Sequence, residues 1–303
     1  MIESVKAGIR RGFRAAIGVR LLRRAINSAT MNLPWSVRRR MHSGFSFSLS
    51  GGLPGWQFDT WRVCFAGKTV LAPLRASDLA MDWTCAMALV GHDVKEKQTY
   101  AAVLASENSP TVFLDVGGNY GLHSLLMMAH GVESVYFEPN SSCHEYFRVA
   151  SALNGLQPRI EPVALGAEAG AITLRYPKSA TWLGSVNEAV ADALTQDDVV
   201  TETVSMRTLD SYVDSLPVGK MMMKIDAEGS EMAILSSARR LLAERRPIMV
   251  FECHQASGDR GKLRDYFEAA NYDISFQPWP QASLSAAEFE ETGEYNFVAV
   301  PRK

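Results

Sequence analysis

Cysteine is scarce in this sequence, and long hydrophobic runs are missing. The 303 residues include four cysteines, at positions 64, 85, 143 and 253, and none of them forms the C-x-x-C pairs that bind zinc or shuttle electrons. A chain of this length can bury a large core without disulfides, so a reducing compartment is the simplest fit. No stretch reaches the roughly 18–20 uncharged apolar residues of a membrane-spanning helix, and the first residues lack the apolar run of a secretory signal. We therefore expect a cytoplasmic protein.

Charge is nearly balanced over the whole chain but unevenly distributed along it. The formal net charge is −2, yet residues 1–40 hold ten of the 31 basic residues and one acidic residue. This segment therefore carries +9 and the rest of the chain −11. An acidic body argues against nucleic acid as a partner, because a nucleic-acid groove must neutralise many phosphates.

The basic segment has the pattern of an amphipathic helix. Up to Ile17 the apolar residues fall on one face and the basic residues on the other, and beyond Gly18 the apolar stripe moves to the opposite side. We therefore expect a break near Gly18. Two interpretations stay open: peripheral contact with an anionic membrane through residues 1–40, or packing on the protein's own body or a partner subunit. An organellar transit peptide would share this composition.

Turn signals and periodicity divide the chain into three parts. Residues 1–43 are expected to form the basic helical arm. Residues 44–94 form a small preamble with helices and short strands, such as Phe45–Leu49 and Arg62–Phe65, separated by Gly- and Pro-containing turns. Residues 95–303 form the main domain, where strands and helices alternate.

The alternation predicts an α/β fold with a mostly parallel sheet and helices on both faces. The strands are expected at Thr111–Asp115, Ser134–Glu138, Ile160–Leu165, Met221–Asp226, Ile248–Glu252, Asp273–Phe276 and Phe297–Val300, with a hairpin-like insert at Ala171–Tyr176 and Val200–Met206. The helices between them are expected at Leu122–His130, Ser141–Asn154, Ser230–Arg246 and Lys262–Ala270. In such a sheet, ligands bind beyond the carboxyl ends of the strands.

Polar residues stand at those strand ends. The first strand runs into Asp115-Val-Gly-Gly-Asn-Tyr-Gly121, whose glycines permit a tight turn and close approach of backbone N–H groups to a ligand. The second strand ends in Glu138, which is placed to accept both hydroxyls of an adenosine ribose. The dinucleotide fingerprint G-x-G-x-x-G is not met, because Asn119 and Leu122 occupy its second and third glycine positions. Each of these residues could alternatively serve only as a turn residue or a helix cap.

Ordered motifs resemble those of the FkbM family of methyltransferases over about residues 95–301. The motifs are Phe113-Leu-Asp-Val-Gly-Gly-Asn-Tyr-Gly121, Phe137-Glu-Pro-Asn140, Val163-Ala-Leu-Gly166, Arg207-Thr-Leu-Asp210, Lys224-Ile-Asp-Ala-Glu-Gly-Ser-Glu231, Pro247-Ile-Met-Val-Phe-Glu252 and Asn296-Phe-Val-Ala-Val-Pro301. Gly118 departs from the alanine usual in the family, a change between small residues.

The resemblance implies a class I methyltransferase (Rossmann-like) fold with a seven-stranded sheet and S-adenosylmethionine as the methyl donor. It also implies a hydroxyl acceptor on a sugar, glycolipid or polyketide-like metabolite. The donor residues that it assigns are Asp115, Gly117, Gly118, Asn119 and Gly121 for the methionine and ribose part, Glu138 for the ribose hydroxyls and Ala164 for the adenine.

A second polar cluster follows the fourth and fifth strands. The predicted catalytic residues are Asp226, Glu228, Glu252 and His254. Neighbouring carboxylates repel one another, so a cation, a proton or a hydrogen-bonding ligand must relieve the repulsion. His254 is the best general base by its ordinary pKa, and Asp226 or Glu228 could instead serve as the base or orient the acceptor. A divalent metal is possible there but not favoured, and Glu231 is expected to serve the following helix.

Two functions are compatible with these patterns. The favoured one is an O-methyltransferase acting on a small-molecule or glycan acceptor. The alternative is a non-catalytic adenosine-ligand-binding protein docked to a membrane or a partner by its basic arm, which would not need the second polar cluster. Trp182, in the insert, could form an aromatic wall for the acceptor or an exposed loop anchor.

Overall fold

The computed structural model describes residues 2–177, 184–186, 198–255 and 258–302. The chain divides into two compact units: a first unit of Met1–Val94 with Arg148–Gln157, and a second unit of Lys95–Phe147 with Pro158–Lys303. The described helices are Ile2–Gly18, Arg20–Thr30, Trp35–Phe45, Leu79–Gly91, Val94–Leu104, Leu122–Met128, Ser141–Leu153, Glu231–Ser236, Arg239–Arg245, Arg260–Ala269 and Ala286–Glu291, with a 3₁₀ helix at Leu209–Ser215.

The first unit combines helices with one antiparallel hairpin, β1 (Asp59–Phe65) and β2 (Lys68–Leu74). The predicted break near Gly18 is confirmed, because Val19 leaves the helical conformation with φ −89° and ψ 117°. The predicted strand at Phe45–Leu49 is wrong. Phe45 ends a helix, its ring stacks on Phe13 with centroids 3.8 Å apart, and turns follow it.

The helix Arg20–Thr30 packs on its own unit through polar side chains. The Arg23 guanidinium is buried and donates through Nε (3.0 Å) and Nη2 (2.6 Å) to one carboxylate oxygen of Asp59. The Asn27 amide group donates to the Arg62 carbonyl (2.7 Å), and its oxygen accepts from the Arg62 amide (2.8 Å). The inward face of this helix is therefore polar, since buried polar groups are tolerated when they are paired.

The second unit is built on a seven-stranded sheet. Its strands are β3 (Val112–Val116), β4 (Glu133–Phe137), β5 (Arg159–Glu161), β9 (Met221–Ile225), β10 (Ile248–Glu252), β11 (Tyr272–Phe276) and β12 (Asn296–Pro301). The order across the sheet is β11-β12-β10-β9-β3-β4-β5, and β12 alone runs antiparallel to both its neighbours. The predicted mostly parallel, seven-stranded sheet is thus confirmed.

The strands that follow β3 in the chain lie on both sides of it in this sheet. β4 and β5 lie on one side of β3, while β9 and β10 lie on the other. Right-handed crossovers in opposite directions place their helices on opposite faces. The central strands β3 and β9 are buried at every residue, so the polar residues at their carboxyl ends mark the edge where a ligand can bind.

The predicted third strand, Ile160–Leu165, is two strands. Its first part belongs to β5 in the large sheet, and Ala164–Leu165 form β6 in a separate three-stranded sheet. Pro162 stands between them and has no N–H to continue a ladder. The other two strands of the small sheet, β7 (Gly170–Pro177) and β8 (Val199–Arg207), pair antiparallel and confirm the predicted insert hairpin. Trp182 lies outside the described residues.

The predicted helix Ser230–Arg246 is interrupted after Ser236. The Ser237 carbonyl accepts a hydrogen bond from the Asp210 amide (2.9 Å) instead of continuing the helix. The Asp210 carboxylate then accepts the amides of Arg240 and Leu241, both at 2.9 Å, and so caps the second helix. A residue distant in sequence therefore ends one helix and starts the next.

No helix among the described residues is both long and apolar enough to cross a membrane.

Candidate functional site

Glycines shape the loop that follows β3. Gly117 and Gly121 have φ of 69° and 70°, a conformation that residues with a Cβ rarely adopt. A Cβ on Gly117 would overlap the Asp226 carbonyl oxygen, and one on Gly118 would overlap the Tyr136 ring. The loop can therefore lie directly against the elements on both sides of it.

Glu138 follows β4 and binds the backbone of this loop. Its Oε2 accepts a hydrogen bond from the Asn119 amide, and its Oε1 accepts one from the Asn140 amide, both at 2.8 Å. Burial raises the pKa of Glu138 to about 7, although the two amides act in the opposite direction. Asn140, and not Glu138, caps the next helix by accepting the Ser142 amide (3.0 Å). Each Glu138 oxygen therefore retains a lone pair for a ligand hydroxyl.

Two buried polar atoms near this loop have no hydrogen-bond partner within the described part of the chain. The Asp115 Oδ2 accepts from the Ser124 amide (3.0 Å) and hydroxyl (2.6 Å), while its Oδ1 has no partner. The Asn140 Nδ2 is in the same state. Leaving a buried polar atom unpaired costs about 1–3 kcal/mol, which a polar ligand would remove. Asn140 was not among the donor-binding residues predicted from the sequence, although its place in the Phe137-Glu-Pro-Asn140 motif was a signal.

Ala164 lies in a different sheet from the other predicted donor residues. It is buried in β6 and pairs with Met206 of β8. The structure brings together the residues of the glycine loop and Glu138. The place of Ala164 beside an adenine stays a prediction.

All three predicted catalytic carboxylates meet where β9 and β10 end. One side-chain oxygen from each of Asp226, Glu228 and Glu252 lies within 4.8 Å of the other two. The Asp226 amide donates to the Val116 carbonyl (3.2 Å), and the buried Lys224 Nζ lies 3.0 Å from Asp226 Oδ2. This carboxylate cluster therefore adjoins the glycine loop and contains a buried cation.

Protons and Lys224 relieve the repulsion in the carboxylate cluster. Burial, and then the nearby Asp226, raise the pKa of Glu228 to about 7. The same two causes raise the pKa of Glu252 well above its usual range. Burial alone would lower the pKa of Lys224, but nearby carboxylates, Asp226 first, outweigh burial and raise that pKa. At neutral pH these shifts favour the protonated form of Glu252 and the charged form of Lys224, and Glu228 exchanges readily between its two forms.

His254 lies at the solvent side of the cluster. Its Nε2 is 3.1 Å from Glu252 Oε1, and its ring stacks on Tyr295 with centroids 5.0 Å apart. The His254 side chain is 55% exposed, so water screens its charge. Water therefore weakens the electrostatic part of its contact with Glu252.

Two further residues shape the loop that carries Glu228. Glu231 Oε1 accepts the amides of Ala227 (2.9 Å) and Gly229 (3.2 Å), which agrees with its expected structural role. The Ser185 hydroxyl donates to the Glu228 carbonyl (3.0 Å). No local pattern predicts the second contact, because the two residues are 43 positions apart.

We expect Glu228→Gln to stabilise the protein increasingly as the pH rises. The unfolded chain releases the Glu228 proton near pH 4.5, whereas the folded chain releases it near pH 7. Across this interval the folded state binds more protons, so its stability falls with rising pH. A neutral glutamine avoids that loss.

Urea unfolding should show the Glu228→Gln variant close to wild type at about pH 4 and more stable by about 1–2 kcal/mol at about pH 8. Glu133→Gln is the matched control, because Glu133 is exposed at the start of β4. A Glu228→Gln difference that stays constant with pH would contradict the raised pKa.

The chain is similar to a known family and to one of its solved structures. The family model of the methyltransferase FkbM domain matches residues 115–274. The structure is similar to that of methyltransferase FkbM from Methylobacillus flagellatus, with a TM-score of 0.42 and 15% identity over 72% of this chain and 54% of that one. No curated protein sequence matches the chain.

Two further solved structures are similar over most of the chain. A precorrin-6y C5,15-methyltransferase from Geobacter metallireducens has a TM-score of 0.38 and 11% identity over 70% of this chain and 88% of that one. A SAM-dependent methyltransferase from Agrobacterium tumefaciens has a TM-score of 0.41 and 12% identity over 82% and 73%. The chain spans about half the length of the Methylobacillus protein.

Proposed function

Because the chain belongs to the FkbM family of methyltransferases, we propose that it transfers a methyl group from S-adenosylmethionine to a hydroxyl of a sugar, glycolipid or polyketide-like metabolite. One observation carries the proposal beyond donor binding. The hydrogen bond from the Asp226 amide to the Val116 carbonyl sets the carboxylate cluster directly beside the glycine loop. A protein that only bound an adenosine ligand would have no use for acid–base groups at that place.

The residues around the glycine loop fit the donor. The donor has a ribose diol, for which each Glu138 oxygen retains a lone pair. It also has an ammonium group and other polar atoms, for which the unpartnered Asp115 Oδ1 and Asn140 Nδ2 are available. The loop departs from the pyrophosphate fingerprint, which agrees with a ligand that has no phosphate.

S-Adenosylmethionine, when bound, supplies an electrophilic methyl group whose bond to sulfur breaks as the acceptor oxygen bonds to carbon. Glu228 takes the proton of the acceptor hydroxyl, so the oxygen becomes an ether oxygen without a lasting positive charge. A pKa of about 7 suits this task, because the ionised form is available at neutral pH and still binds the proton well.

The other members of the cluster position Glu228 and the acceptor. Lys224 compensates Asp226, which leaves that carboxylate to accept a hydrogen bond from an acceptor hydroxyl. The protonated Glu252 donates a hydrogen bond within the cluster and keeps a second negative charge away from Glu228. His254 can pass the proton from the cluster to solvent.

We expect Glu138→Ala to weaken donor binding by about 1–3 kcal/mol, because charged hydrogen bonds to the ribose would be lost. Isothermal titration calorimetry with S-adenosylmethionine measures this change. Glu133→Ala, at the other end of the same strand, should leave the affinity unchanged. Tight binding of NAD without binding of S-adenosylmethionine would refute the donor assignment.

Methyl transfer itself is tested with labelled donor against sugar, lipid and polyketide extracts. Transfer should require a hydroxyl-bearing acceptor, and donor binding without transfer to any fraction would support the non-catalytic alternative. We expect a chelator to leave turnover unchanged, because Lys224 and protonation of Glu252 already relieve the repulsion that a metal would relieve. Loss of turnover on chelation, restored by Mg²⁺, would instead assign the carboxylate cluster to a metal.

A further inference from the structure

A groove with a strongly basic wall lies in the first unit, between the helices Ile2–Gly18 and Trp35–Phe45. Its volume is about 640 Å³. Four cationic side chains and two apolar ones line it: Lys6, Arg10, Arg39, Arg40, Ile9 and Phe45. We call this feature the basic groove. It shares no residue with the proposed methyl-transfer site.

The positive charge of the basic groove is largely uncompensated. Among the described residues, Arg10, Arg39 and Arg40 have no carboxylate within ion-pair distance, and the helix Trp35–Phe45 contains no acidic residue. The helix Arg20–Thr30 differs, because three of its arginines lie within ion-pair distance of Asp59 in β1. These three arginines create a positive potential that attracts an anionic ligand.

Apolar side chains are exposed beside these cations. Val5 and Ile9, on the same helix as Lys6 and Arg10, are each 57% exposed. Nucleic acid offers little to aliphatic side chains of this kind, whereas an anionic membrane offers phosphates to the cations and acyl chains to the apolar groups.

We infer that the basic groove binds the phosphate headgroup of an anionic membrane lipid, with Val5 and Ile9 entering the adjoining acyl layer. This places the protein at a membrane surface without a spanning helix. The inference does not depend on the proposed methyl transfer. Arg39 and Arg40 supply half of the groove cations from the helix Trp35–Phe45, so the site depends on two helices of the fold and not only on the amphipathic pattern of the first helix.

Vesicle flotation of the full chain tests the inference. Phosphatidylcholine vesicles that contain phosphatidylglycerol should bind the protein, and binding should weaken as salt rises. Arg39→Glu with Arg40→Glu should lower partitioning about 25-fold or more, from roughly fivefold for each cation lost near the surface. Lys68→Glu with Arg148→Glu is the matched control, because it makes the same charge change on exposed residues of the first unit outside the groove. Unchanged donor binding and thermal unfolding verify that each variant is folded.

Three outcomes would overturn the inference. The first is equal binding to vesicles with and without phosphatidylglycerol, or no binding to either at low salt. The second is an equal loss in both charge-reversed pairs, which would show a general charge effect. The third is tight binding of single-stranded RNA together with no loss of vesicle binding in Val5→Ser with Ile9→Ser, which would make the groove a nucleic-acid site.

Discussion

Glu228→Gln should lower turnover by roughly 10²–10⁴-fold, the range expected for loss of a positioned proton acceptor. Glutamine matches the shape of glutamate, so donor affinity should stay within a few-fold and the loss should appear in kcat more than in KM. The same substitution is expected to stabilise the protein at alkaline pH. A variant that is both more stable and nearly inactive cannot owe its inactivity to unfolding.

His254→Ala is the informative comparison for this experiment. His254 lies at the exposed side of the cluster and reaches it through Glu252, so its removal should cost less turnover than removal of the Glu228 carboxylate. If His254→Ala lost more turnover than Glu228→Gln, the role of proton acceptor would pass to His254. Wild-type turnover in both variants would place the chemistry elsewhere.

Lys224→Met should cost about 3 kcal/mol of unfolding free energy, because it leaves the buried Asp115 carboxylate and the partly exposed Asp226 carboxylate without a nearby cation. Lys224 is 3% exposed and is paired across β3 and β9 with Asp115, while its Nζ binds Asp226. Methionine keeps an unbranched side chain that is one atom shorter than lysine, so packing changes little. Urea unfolding measures the loss.

The double variant Lys224→Met with Asp226→Asn separates charge from packing. If charge is the cause, the double variant should recover a large part of the lost stability. Lys262→Met is the matched control, because Lys262 forms an exposed pair with Asp259 and such pairs contribute little. A double variant as unstable as Lys224→Met would mean that Lys224 acts through packing.

The order of elements in the main domain could be predicted because each central element carries its own signal. Buried strands such as β3 and β9 are apolar apart from one charged residue each, and turn residues bound them. The break after Ser236 could not be predicted in this way, since it depends on Asp210 arriving from a distant part of the chain. A helical wheel likewise cannot show that Asp59 lies opposite Arg23 and pairs with it.

The candidate site could be predicted as two sets of residues but not as one arrangement. The motifs around Asp115 and Asp226 indicated a donor loop and a carboxylate cluster. The role of Lys224 depends on depth, which a motif does not show, although a single lysine in the otherwise apolar run Met221–Ile225 was an available signal. Ser185 left no local signal, because its contact with Glu228 forms only through folding.

Gly117 lies directly against the Asp226 carbonyl, so the backbone sets the distance between the glycine loop and the carboxylate cluster. Side chains around this contact can be exchanged to suit a new acceptor. The distance between the glycine loop and the carboxylate cluster is set by the absence of a Cβ on Gly117. In-line transfer is sensitive to displacements of about 1 Å. Substitutions around the carboxylate cluster, other than at Ser185, should therefore leave this distance unchanged, whereas any side chain placed at Gly117 should displace the cluster from the glycine loop.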